Sequence, residues 1–117
     1  MRRDAAGLAA LLGGMGVLHF AAPRPFDSIV PRSLPGSART WTHLSGVAEL
    51  VVAAAVAHPR TRRAGGLAAA ALFVAVFPAN VKMALDSRHS SPARRAVAFG
   101  RLPLQAPLVA WALRVAR

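Results

Sequence analysis

The chain has 117 residues, 55% of them hydrophobic and only 16% charged, with no cysteine and with Lys+Arg outnumbering Asp+Glu by 15 to 4. A soluble domain carries about 25% charged residues and the mean hydropathy here is +0.41, so a membrane is the default environment. Without cysteine there is no disulfide, no zinc–thiolate or iron–sulfur ligation, and no redox chemistry on the protein's own sulfur.

The first apolar run is Ala5 to Ala22, broken only by His19. About 17 to 25 residues cross the hydrocarbon core, so the run is long enough. A signal peptide is the rival reading, because Arg2 and Arg3 precede the run. It is the weaker one: Phe20-Ala21-Ala22 offers a poor cleavage point, Pro23 follows, and three further apolar runs come after. Between Pro23 and Thr40 the prolines Pro23, Pro25, Pro31 and Pro35 forbid a long helix. Phe26, Ile29, Val30 and Leu34 nevertheless recur at helical spacing, which predicts a short interfacial helical segment.

The second run is Trp41 to His58, carrying Ser45 and Glu49. The third, Ala64 to Leu85, is the most apolar and holds Phe73, Phe77, Pro78, Asn80 and Lys82 in its second half. Asp86 to Arg95 reads as a solvated loop. The fourth run, about Ala98 to Val115, contains Arg101, Pro103, Gln105 and Pro107, and prolines near its start suit a helix end. None of these runs has a polar stripe wide enough for a surface helix, so the predicted fold is all-α: one domain, a four-helix transmembrane bundle. The spacing of Ala6, Ala10 and Gly14, of Ala9 and Gly13, and of Gly66 and Ala70 suggests close helix contacts.

The net charge of +11 does not point to nucleic acid, because the arginines flank apolar runs instead of lining one face. Arg2, Arg3, Arg60, Arg62, Arg63, Arg114 and Arg117 fall on one side of the bundle, and Arg24, Arg32, Arg39, Arg88, Arg94 and Arg95 on the other. The margin is narrow. The short Pro59 to Arg63 turn decides it, and both termini are expected in the cytoplasm.

Polar side chains inside the runs are the clues to function. From the run boundaries, Glu49 lies about 12 Å below the outer end, Asn80 and Gln105 roughly 9 to 10 Å, and His19, Ser45 and Lys82 about 6 Å. Ser45 and Glu49 share a helix face, as do Arg101 and Gln105. These residues are the candidate ligand-binding set: His19, Ser45, Glu49, Asn80, Lys82, Arg101 and Gln105. Two readings stay open. In the structural one Glu49 pairs with Lys82 or Arg101, and the amides satisfy carbonyls freed by Pro78 and Pro103. In the functional one the same groups line a small-molecule pocket walled by Phe73, Phe77 and Trp41. His43 lies nearer the surface, His58 suits a helix C-terminus and His89 falls in a loop. No metal site is expected, since no two histidines stand four apart on one helix.

Gly16-Val17-Leu18-His19-Phe20, Pro25-Phe26, Ile29-Val30-Pro31, Leu34-Pro35, Ser45-Gly46-Val47-Ala48-Glu49, Phe77-Pro78-Ala79-Asn80-Val81 and Arg101-Leu102-Pro103-Leu104-Gln105 together resemble the DoxX-like family of small bacterial membrane proteins. The alanine and arginine bias is similar to that of actinobacterial genomes. The resemblance implies a four-helix bundle in the plasma membrane. It further implies an accessory or quinone-interacting component of a membrane redox assembly, working with other membrane or soluble redox proteins or with further copies of itself. Such a chain would be a subunit of a quinone-linked oxidoreductase and not a self-sufficient enzyme. An oxidised quinone head offers only acceptors, so under this resemblance its donors would be Asn80, Gln105 and His19, with Glu49 orienting a neighbour or passing a proton. The alternative is non-enzymatic, a scaffold or a small lipophile-binding or transport protein.

Overall fold

Six helices in sequence build the computed structural model, which describes residues 3–28, 30 and 34–117. They are α1 (Arg3–Ala21), α2 (Arg24–Asp27), α3 (Ala38–Ala57), α4 (Arg62–Ala75), α5 (Phe77–Asp86) and α6 (Pro92–Val115). Among the described residues, four stretches are long and apolar enough to cross a membrane: α1, α3, α4 with α5, and α6. The protein is thus an all-helical, four-helix transmembrane bundle with a short helix between its first two spans. Of the predicted interfacial segment, Phe26 lies in α2, whereas Ile29 and Pro31, like the flanking Arg2 and Arg32, lie outside the described residues.

Local chemistry sets the helix ends. Gly36 takes the left-handed conformation (φ 83°) that turns the chain toward α3. Ser37 then caps that helix by accepting from the Thr40 amide at 3.2 Å. Ser91 caps α6 in the same way through Arg94, with Pro92 at the first turn. The helix that holds the last apolar run therefore starts at Pro92, ahead of Ala98, and Arg94 and Arg95 belong to its first turn instead of to a loop. Pro103 and Pro107 lie inside this helix, where a helix end was expected, and both are exposed on one face. The third span breaks at Val76, where Pro78 has no N–H to continue the ladder. In the turn between α3 and α4, Thr61 donates to the Ala55 carbonyl and Arg62 to that of Val56, satisfying the end of α3.

The packed core lies at the end of the bundle that carries the termini: Ala5, Leu8 and Leu12 of α1, Ala53 and Val56 of α3, Ala69, Ala70 and Phe73 of α4, Ala112 and Val115 of α6. Gly65 and Gly66 let α4 approach α3 and α6, since a Cβ on either would stand 2.7 Å from a backbone nitrogen, of Val56 or of Ala116. The stripe Ala6, Ala10, Gly14 is not a contact face: all three are exposed and nothing surrounds Gly14. The close crossing of α1 and α3 is made instead by Gly16 and Gly46. Spans one and two pack extensively, as do three and four, whereas α1 and α6 touch sparsely. That contact is anchored at the terminal end, where Trp111 donates to the Asp4 carbonyl at 2.9 Å and lies against Gly7. Val17, Val51, Val74 and Val97 stand 56–63% exposed, as lipid-facing residues do.

Candidate functional site

Where the core stops, toward the end of the bundle that carries α2, a cavity of about 210 Å³ opens between the helices. Its apolar walls come from Leu11, Leu12 and Met15 of α1, Phe73 of α4, Val76 and Ala79 at the break, and Leu108 of α6. His19, Ser45, Glu49, Asn80, Arg101 and Gln105 also line it, so most of the polar set read from the sequence converges there.

Lys82 does not. It follows Asn80 by two residues, about 200° around the helix, and so turns away from the cavity. Its ammonium donates to Asp86 at 2.5 Å and to the Ser28 carbonyl at 3.1 Å. The expected pairing of Glu49 with Lys82 or Arg101 is absent among the described residues: Arg101 points at the Met83 sulfur, 3.3 Å away. Asp86 stands one turn from Lys82 on the same helix, within easier reach than a carboxylate on another span.

Glu49 faces His19 instead, with Oε1 3.7 Å from Nε2. The other ring nitrogen, Nδ1, lies 2.6 Å from the Met15 carbonyl. A carbonyl only accepts, so Nδ1 carries the proton and Nε2 meets Glu49 with a lone pair. One proton on either group turns that contact from repulsion to attraction. The second carboxylate oxygen, Oε2, is buried and has no hydrogen-bond partner among the described residues.

The amides form a separate arrangement. Asn80 donates to Gln105 Oε1 at 3.0 Å, and Gln105 donates to the Phe73 carbonyl, which the helix break leaves without its α-helical partner. The donors expected to meet a quinone at Asn80, Gln105 and His19 thus each have a partner within the protein. Of the expected aromatic walls only Phe73 lines the cavity; Phe77 is 40% exposed, and Trp41 donates to the Pro35 carbonyl beside α2.

Two contributors to the cavity were not assigned to it from the sequence. Phe26 stacks on His19, ring centroids 3.8 Å apart and planes 20° from parallel, and covers the cavity from α2. Thr42 holds that cover down by donating to Asp27 at 2.6 Å, while Arg39 reaches the other oxygen of Asp27 at 2.9 Å. Donation from Thr42, reinforced by Arg39, holds the Asp27 carboxyl below the usual carboxylate range despite partial desolvation. Asp27 is the one acidic residue between the first two apolar runs, the only available signal for such a tie. His43 stacks on Phe20, and His58 caps α3 while its ring accepts from the Arg60 amide.

A family profile described as "Domain of unknown function (DUF8561)" matches residues 8–116, nearly the whole chain. The chain belongs to this family. In this DUF8561 member the matched stretch contains every residue of the cavity and of the α2 tie. No curated protein and no solved structure matches the chain.

Proposed function

We propose that this membrane protein holds a small ring-bearing lipophile in the cavity beneath α2, and that it serves as a quinone-interacting, DoxX-like accessory component of a membrane redox assembly. The observation that carries the reading is the cavity itself. About 210 Å³ of mostly apolar space, with polar groups arriving from four helices, is ample for a single ring, since an engineered cavity of about 150 Å³ takes benzene. The stacked Phe26 and His19 rings give a flat molecule a matching wall. The Arg60, Arg62 and Arg63 turn favours a plasma-membrane orientation with both termini cytoplasmic, which puts the cavity toward the outer leaflet.

The test is saturable photolabelling of the protein in lipid nanodiscs with an azido-quinone. Label on peptides containing His19, Asn80 or Gln105 is the expected result; non-saturable or purely surface label overturns the proposal. The second reading, a scaffold with no ligand, draws on the Asn80–Gln105–Phe73 arrangement, which uses both amides to repair a broken helix.

A further inference from the structure

Glu49 is the unresolved group in the cavity. Its side chain is nine-tenths buried and lines the space, yet Oε2 has no hydrogen-bond partner among the described residues. A buried acceptor left unmet is costly, and more so when charged. The dyad with His19 does not supply what is missing. Because Nδ1 is committed to the Met15 carbonyl, the proton that makes the contact attractive belongs between Nε2 and Oε1. Whichever group holds it, Oε2 remains an acceptor.

We infer that the cavity takes a hydrogen-bond-donating aromatic alcohol, of the phenol and quinol class, whose hydroxyl is received by Glu49 Oε2. The class follows by elimination from the lining. An amphiphilic amine would also donate, but it would share the cavity with the Arg101 guanidinium, which no described carboxylate neutralises. An aliphatic alcohol would leave the flat Phe26–His19 stack without a matching face. A ring that carries a second oxygen also offers Arg101 an acceptor. An oxidised quinone has acceptors only and leaves Oε2 as it stands. The inference rests on the reading of the cavity as a lipophile site and selects the reduced, hydroxyl-bearing partner for it.

The experiment uses the full chain in nanodiscs and compares retention of a para-alkylphenol with that of its methyl ether, against empty nanodiscs. The wild type is expected to hold the phenol about tenfold more tightly than the ether, about 1.4 kcal/mol. Glu49→Leu should erase that preference by weakening the phenol alone. Equal retention of phenol and ether overturns the inference while leaving a lipophile pocket standing. A preference that persists in Glu49→Leu is steric and overturns it too. Absence of saturable binding by either probe overturns the pocket reading and the inference together. Should Glu49→Leu fail to fold, Glu49→Met replaces it, because it too removes the acceptor oxygens, and an unchanged preference in that variant is the overturning result.

Discussion

A Cβ placed on Gly46 would stand 2.8 Å from the Cβ of His19, so the absence of a side chain on α3 sets how closely α1 brings its histidine to Glu49. The same Cβ would meet Phe20 at 2.7 Å and the Gly16 carbonyl at 3.2 Å. Two of these contacts are with groups anchored to the α1 backbone, so a larger residue must push the helix. Gly46→Ala is expected to cost about 1–3 kcal/mol as overpacking. Thermal aggregation in detergent measures this, and Gly14→Ala, in open space, serves as the neutral control. Equal behaviour of the two variants would show that the crossing is looser than described.

Removing the amide of Gln105 strands the Phe73 carbonyl and leaves Asn80 without its acceptor. Gln105→Leu should therefore destabilise the protein by about 1–3 kcal/mol, and Asn80→Leu by less. The double variant should lose less than the sum, because both act through one arrangement. Strict additivity in thermal aggregation would mean that the two amides work independently.

Lys82 and Glu49 behave as strangers in this structure, since Lys82 is spent on Asp86 and the Ser28 carbonyl. Lys82→Met and Glu49→Gln should add to within about 0.5 kcal/mol. A coupling well beyond that would restore the ion pair expected from the sequence.

The tie between α2 and α3 is pH-sensitive. The carboxyl of Asp27 is held below its ordinary range by Thr42 and Arg39. The stabilisation is therefore present above the ordinary carboxylate range and is lost as pH falls through the lowered value. A spin label on Arg24→Cys, a unique thiol in a chain without cysteine, should gain mobility on acidification, and at neutral pH when Asp27→Asn is added. A label that stays immobile in both cases would show that other contacts hold α2.

Orientation is tested by fusion. Reporters after Arg117 should read cytoplasmic, and those inserted at Ser37 or Ser90 external, because the Arg60 to Arg63 turn is short and basic. An external C-terminus would reverse the bundle.

Much of this arrangement was legible in the sequence. Four apolar stretches of spanning length admit few other folds, and polar residues such as Glu49 and Asn80 have little reason to lie in them unless they meet. Lys82 was misplaced because its depth was set beside that of Asn80 while the turn of about 200° between the two on one helix was not. Contacts that depend on the path of an irregular segment left no periodic trace, which is why Phe26 on His19 and Asp27 on Thr42 emerged only in three dimensions. The start of α6 was misread because Pro103 and Pro107 suggested a terminus, whereas Ser91 and Pro92 carry the actual start signal.

The sparse seam between α1 and α6 bears on how anything reaches the cavity. Trp111 closes the seam at the terminal end, while near α2 the cavity has Leu11 and Met15 of α1 on one side and Arg101 and Gln105 of α6 on the other. The lipophile proposed above would find in this seam a direct route from the bilayer, between the two helices and without passing through water. Its occupancy would follow its mole fraction in the lipid, so that dilution with buffer leaves the bound fraction unchanged while dilution with extra phospholipid empties the site.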